Sequence, residues 1–75
     1  MLFDKVKEIL SNYTETENIT EDLSLMNDLM LTSLDVVSMI GDFEDEFNIE
    51  IDDEEIMQLK TVGDILEYLK KTGVE

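Results

Sequence analysis

The residue best placed to take part in chemistry is Ser33, at the start of a predicted amphipathic helix in a very acidic chain. The 75 residues include no cysteine and no histidine, so a thiol nucleophile and the usual base at neutral pH are both missing. If the chain takes part in chemistry, the reactive group must therefore be supplied by an attached molecule. A serine hydroxyl at a helix start suits attachment, because a phosphate there lies at the positive end of the helix dipole, near unpaired backbone N–H groups.

The helix that positions Ser33 is predicted over residues 33–47 from its apolar spacing. Thr32 is a suitable N-cap, and Asp35 follows three residues later, as in a capping box with a shortened acidic arm. The residues expected to form the buried stripe of this helix are Val36, Val37, Met39, Ile40, Phe43 and Phe47.

The opposite face of this helix is expected to meet solvent and partner proteins. At about 100° per residue, one line of side chains lies away from the buried stripe, flanked by two acids. The line consists of Leu34, Ser38, Gly41 and Asp45, and the flanking acids are Asp35 and Asp42. This face is acidic, with Leu34 as the one exposed apolar residue, so Leu34 is predicted to be a docking contact beside Ser33.

The rest of the chain predicts a small all-α four-helix bundle with a short third helix and a long first loop. The other helices are expected over 2–13, 53–59 and 61–71, and a single domain over residues 1–75. Apolar residues within the loop from Thr14 to Leu31 predict that it is pinned to the core. The segment 47–51 alternates like a strand, but it is too short to build a sheet and is predicted to be an extended connector that buries Ile49 and Ile51.

The net charge of −15 excludes some classes of partner and favours others. Nucleic acids and anionic membranes would be repelled, whereas proteins with basic patches would be attracted. Without cysteine or histidine, neither a disulfide nor an ordinary zinc site is available. No apolar run approaches the roughly 20 residues that span a bilayer, and the first residues do not form a signal peptide. We expect a cytoplasmic monomer that binds neither nucleic acid nor membrane.

Three segments together resemble the acyl carrier protein family. These are the run Asp28-Leu-Met-Leu-Thr-Ser33-Leu-Asp35, the acidic helix ending Phe43-Glu-Asp-Glu-Phe47, and Ile49-Glu-Ile51-Asp-Asp-Glu-Glu. The resemblance extends to the closing Thr61-Val-Gly-Asp-Ile-Leu-Glu-Tyr-Leu segment and so covers nearly the whole chain. It implies a carrier that is not an enzyme, with 4′-phosphopantetheine from coenzyme A esterified to Ser33. The thiol of this arm would hold acyl groups as thioesters. Implied partners are a phosphopantetheinyl transferase and acyl-transferring or condensing enzymes with basic docking patches.

Three residues depart from the family pattern. Thr32 stands where the family usually has aspartate, which keeps a capping oxygen but removes a negative charge beside Ser33. This change bears on which transferase accepts the chain and favours a specialised carrier. Met30 occupies a position where glycine is frequent, and Gly41 one where a bulkier residue is common. Gly41 weakens a helix by up to about 1 kcal/mol relative to alanine. It either permits the close approach of a partner or is simply tolerated.

Two other functions remain open on sequence alone. The chain could be an unmodified acidic adaptor of the same fold, or a weak divalent-cation buffer that uses the acids between Asp42 and Glu55. No segment has the spacing of an EF-hand loop, so no metal site is predicted. Within the carrier class, fatty-acid, polyketide, peptidyl and aminoacyl cargoes share these features. The acidity and the Leu34-Asp35 pair favour an acyl cargo.

Overall fold

The computed structural model describes residues 2–73, in which the chain forms four α-helices. They are α1 (Leu2–Leu10), α2 (Ser33–Phe47), α3 (Asp53–Gln58) and α4 (Val62–Lys71). Among these residues there is no β-strand, and only an isolated bridge joins Ser24 and Thr61. The predicted all-α four-helix fold is confirmed. No helix in the described part of the chain has the length and apolar character needed to cross a membrane.

The predicted helix ends are accurate for α2 and differ slightly elsewhere. The prediction that α1 continues to Tyr13 is wrong: it ends at Leu10, because the chain tightens into i→i−3 turns. The N–H of Tyr13 donates to the carbonyl of Leu10 at 2.9 Å. The hydroxyl of Ser11 donates to the carbonyl of Glu8 at 2.6 Å and competes with helical bonding there. α3 is one turn and a half long, and Thr61 is the N-cap of α4 rather than its first residue.

One apolar core is shared by α1, α2, α4 and the long loop. Phe43 lies fully buried, and its ring stacks on that of Phe47 with centroids 6.2 Å apart. The helical members of the core are Leu2, Val6, Ile9, Leu10, Val36, Met39, Ile40, Phe43, Val62, Ile65, Leu66 and Leu69. The prediction that Val37 belongs to the buried stripe is wrong, because 59% of its surface is exposed. The neighbouring α3 buries none of its own residues and leaves Val37 uncovered.

The long loop between α1 and α2 is pinned, as predicted. Its buried residues are Ile19, Leu25, Leu29 and Leu31. It also pairs in an extended, strand-like manner with the segment before α4. The Leu25 N–H donates to the Lys60 carbonyl at 2.9 Å, and the Val62 N–H donates to the Leu23 carbonyl at 3.1 Å. The loop therefore forms a fixed wall of the bundle.

Gly63 allows the closest approach between the loop and α4. Its N–H donates to the carbonyl oxygen of Glu21 at 2.8 Å, and a Cβ at this position would lie 3.1 Å from the same oxygen. Such a contact is tight enough to displace the loop backbone. Glycine therefore suits the place where the loop meets the first turn of α4.

The connector between α2 and α3 is held by the end of α2. Asn48 adopts the left-handed conformation, with φ 55°, and its N–H donates to the carbonyl of Glu44. The carboxylate of Glu44 accepts a hydrogen bond from the Ile51 N–H at 2.7 Å. Ile51 is buried and Ile49 half-buried, so the connector packs onto the core, with Ile51 covered more fully than Ile49.

A hydrogen bond between Tyr13 and Asp42 ties the segment after α1 to the middle of α2. The Tyr13 hydroxyl donates to a carboxylate oxygen of Asp42. This bond raises the pKa of Tyr13 above its ordinary value of 10.0, with further contributions from burial and from the negative charges of Asp42 and Asp35. An ion pair between Lys5 and Glu46, at 3.7 Å, joins α1 itself to α2 nearby.

We expect Tyr13→Phe to lower the free energy of unfolding at pH 7 by about 1 kcal/mol, because one hydrogen bond is lost. Between the unfolded pKa and the higher folded pKa of Tyr13, the native state retains a proton that the unfolded state has released. By linkage, the contribution of Tyr13 is complete below about pH 10 and is lost as the pH rises through the folded pKa. Urea denaturation from pH 7 to pH 11 should show the difference from wild type shrinking at high pH.

Tyr68→Phe is the control for this measurement. The pKa of Tyr68 is also raised, mainly by burial, but its hydroxyl makes no hydrogen bond among residues 2–73. Its removal should change the stability at pH 7 only slightly. Equal stability of Tyr13→Phe and wild type at pH 7 would contradict the assigned role of the bond.

Candidate functional site

The start of α2 is fixed by a reciprocal pair of hydrogen bonds. The Asp35 N–H donates to the hydroxyl oxygen of Thr32 at 3.1 Å, and the Thr32 N–H donates to the Asp35 carboxylate at 3.0 Å. The predicted capping box is therefore present with aspartate as its acid. It makes Ser33 the first residue of the helix and leaves its side chain exposed.

The backbone around Ser33 offers further hydrogen-bond donors. The first helical bond of α2 runs from the Val36 N–H to the Thr32 carbonyl at 3.0 Å, and the Asp35 N–H is capped. Within residues 2–73, the N–H groups of Ser33 and Leu34 have no partner. Both lie at the positive end of the helix dipole, beside the Ser33 hydroxyl.

An apolar groove opens beside Ser33, between the long loop, α2 and α3. Its volume is about 460 Å³, within the range of small-molecule sites. Its lining residues are Ser24, Leu25, Met26, Asn27, Ser33, Val36, Val37, Ile56, Met57, Leu59 and Lys60. Val37, exposed against expectation, is thus a wall of this groove, and Ser33 lies at its edge.

The predicted partner face of α2 is only partly free. Leu34, Ser38 and Asp45 are exposed, and 79% of the surface of Leu34 is accessible to solvent. Gly41 is half-buried, and no atom lies within 4 Å of where its Cβ would be, so the fold does not require glycine there.

The carboxylates of the three acids on this face differ in their hydrogen bonding. The carboxylate of Asp35 caps the helix, and that of Asp42 accepts the Tyr13 hydroxyl. Only the carboxylate of Asp45 has no hydrogen bond or ion pair among the described residues. Asp45 is therefore the member of the set whose charge is fully available to a partner.

Several exposed apolar residues near Ser33 were missed by sequence reasoning. Met26, Val37 and Met57 line the groove, and Met30 and Met57 keep 76% and 78% of their surface exposed. Leu34 is the exposed apolar residue on the predicted solvent-facing line of α2, and these further exposed apolar residues lie off that line. Helical periodicity shows which residues share a face, but it does not show that a short helix such as α3 leaves that face uncovered.

Met30 has an unusual backbone. Its φ is 61°, in the left-handed region, where a residue other than glycine costs of order 1–3 kcal/mol. Glycine adopts this conformation without that cost. This chain keeps the turn without the glycine.

The acids between Asp42 and Glu55 do not converge on a point. Within residues 2–73, no group of three or more His, Cys, Asp or Glu side chains is placed to hold a metal ion. A shallow polar cleft between α1 and α2 is lined by Asp42, Asp45 and Glu46, but also by Lys5, whose ammonium pairs with Glu46. The arrangement gives no support to a cation-buffer function.

Comparison with known proteins places the chain in a family. The family profile described as phosphopantetheine attachment site matches residues 4–69. An acyl carrier protein of Thermotoga maritima is 40% identical over 93% of this chain and 89% of its own length. An acyl carrier protein of Lactobacillus acidophilus is 42% identical over 92% of this chain and 89% of its own length. A solved acyl carrier protein structure from Enterococcus faecalis, 35% identical, superimposes with a TM-score of 0.78 over 89% of this chain and 87% of that one.

The matched profile spans α2, its capping box and the exposed serine, and the relatives extend over nearly all of the chain. The fold and the site described above agree with this assignment. The chain belongs to the acyl carrier protein family, whose members are non-enzymatic carriers bearing a 4′-phosphopantetheine prosthetic group.

Proposed function

We propose that Ser33 is the residue to which 4′-phosphopantetheine is esterified. The observation that carries this proposal is that Ser33 alone, of the four serines, combines an exposed side chain with the first position of a helix. Ser11 follows the end of α1 and its hydroxyl is engaged, Ser24 is half-buried in the loop, and Ser38 lies within α2.

The surroundings of Ser33 fit a phosphodiester. The free N–H groups of Ser33 and Leu34 can donate to its oxygens, and the helix dipole favours its negative charge. Asp35 is held back by its bond to the Thr32 N–H at 3.0 Å. When bound, the arm supplies the thiol on which an acyl group is carried as a thioester, a group that this cysteine-free chain lacks.

The apolar groove beside Ser33 suits the acyl chain of the cargo. Its walls include Val37, Ile56, Met57 and Leu59, and burying a methylene group against such walls contributes about 0.8 kcal/mol. α3 buries none of its residues and its N-cap makes no side-chain hydrogen bond, so it is the wall best able to move. Cargo length can therefore be accommodated by displacement of α3.

The solvent face of α2 is the proposed docking surface for enzymes that load and unload the arm. Leu34, Ser38 and Gly41 offer a small apolar or uncharged strip, and Asp45 a free negative charge. Because the net charge is −15, basic patches on partners would be attracted from a distance. Gly41, which the fold does not require, leaves room for a close approach.

The pathway served is fatty-acid biosynthesis or a specialised acyl or polyketide-type biosynthesis. Thr32 in place of the usual aspartate favours the specialised role, since the start of the helix carries one charge fewer. A phosphopantetheinyl transferase would install the arm, and the chain would act in the cytoplasm as a monomer. The competing function, an unmodified acidic adaptor, differs in having no arm on Ser33.

Ser33→Ala should abolish the mass increase seen after incubation with coenzyme A and a phosphopantetheinyl transferase, while Ser38→Ala retains it. Alanine leaves the Thr32–Asp35 cap intact, so the circular dichroism spectrum should hardly change. Intact-mass spectrometry measures the modification directly. An undiminished mass increase in Ser33→Ala would refute the site, and no increase in wild type would favour the adaptor.

Asp45→Lys should lower kcat/KM for enzymes acting on the arm by about tenfold at low salt, because attraction to basic patches becomes repulsion. The difference should shrink as salt is raised to about 0.5 M, where surface charges are screened. Glu67→Lys on α4 is the control, since it changes the net charge equally at an exposed position away from α2. Equal effects of the two variants would show that total charge, and not this face, governs docking.

A further inference from the structure

The exposed apolar side chains around Ser33 fall into two groups. Of the five large ones in the described part of the chain, Met26, Val37 and Met57 line the groove, where cargo would cover them. Met30 and Leu34 do not line it, although they lie three residues before and one residue after Ser33. Cargo in the groove therefore leaves these two residues exposed.

Met30 contributes little to the stability of the fold. Its side chain is 76% exposed and so gains little from packing, while its backbone at φ 61° favours glycine. Stability alone would favour glycine at this position. A side chain that is retained in a strained, solvent-facing conformation points to a contact made with another molecule.

We propose that Met30 is a recognition residue for the phosphopantetheinyl transferase, which would receive it, together with Leu34, in an apolar depression edged by lysine or arginine. The inference rests on Ser33 being the attachment site. The transferase must bring its own groups to the Ser33 hydroxyl and so covers the surface immediately around it, which includes Met30. Enzymes that act on the thiol at the far end of the arm can dock along the solvent face of α2 without covering Met30. Asp28, exposed two residues before Met30, carries a negative charge on this side of Ser33, and one of its carboxylate oxygens accepts the Ser24 N–H at 2.6 Å.

The test compares three substitutions of Met30 in arm transfer by the transferase of the same organism. Met30→Gly removes both the backbone strain and the side chain. Met30→Asn introduces a polar residue that tolerates the left-handed backbone, and Met30→Leu keeps an apolar side chain. Kinetics of coenzyme A consumption give kcat/KM, and thermal unfolding gives Tm. Asn48→Gly is the control, since it relaxes the other non-glycine residue with positive φ, at the far end of α2.

We expect kcat/KM to fall about tenfold in Met30→Gly and Met30→Asn, because burial of a methionine side chain is lost, and to stay within about threefold in Met30→Leu. Tm should rise by a few degrees in Met30→Gly, so that stability and transfer change in opposite directions. Asn48→Gly should transfer normally.

The proposal is overturned if Met30→Gly is loaded as fast as wild type. It is also overturned if Met30→Asn has the wild-type kcat/KM while that of Met30→Gly is low, because the loss would then come from a more flexible loop. Slow transfer to Met30→Leu would also overturn an apolar contact. Mapping of the modified residue in wild type separates the two hypotheses. If the arm is on another residue, the attachment site itself is refuted. If the arm is on Ser33 and the Met30 variants are loaded as fast as wild type, only this inference is refuted.

Discussion

The reciprocal hydrogen bonds between Thr32 and Asp35 are the interaction on which the site depends. They fix the residue at which α2 begins, while the apolar side chains packed in the core fix which way the helix faces. If the helix began one residue later, the packed side chains would keep their faces, but Ser33 would leave the first helical position and lie outside the helix. The cap is therefore both a stabilising element and the feature that makes Ser33 the first residue of α2.

Packing against the core leaves α2 with three different faces. Val36, Met39 and Phe43 pack into the core, and Val37 turns toward the groove that α3 leaves partly open. Leu34 and Asp45 face solvent. Since Ser33 lies where these faces meet, a group attached to it can reach the groove without crossing the docking surface. The proposed storage of cargo and the proposed recognition by enzymes would thus use separate sides of one helix.

Much of this arrangement could be predicted from local sequence signals. The bounds of α2 follow from Thr32, from Asp35 and from the apolar spacing, all within one helix. The pinned loop followed from its apolar residues. The groove could not be predicted, because its walls are residues distant in sequence, such as Leu25, Val37 and Met57, and its opening depends on how little α3 covers. The left-handed backbone of Met30 could not be predicted from the local sequence either, since methionine does not favour positive φ.

The central claim is that the cap places an arm on Ser33 at the edge of the apolar groove. The most direct measurement is an isotope-filtered NOE spectrum of the ¹³C-labelled chain loaded with an unlabelled octanoyl arm. The account predicts contacts from the arm to the Ser33 β-protons, and from the octanoyl chain to the methyl groups of Val37 and Met57. Contacts of the arm with a different serine, or of the octanoyl chain with a face of the bundle away from α2 and α3, would contradict it.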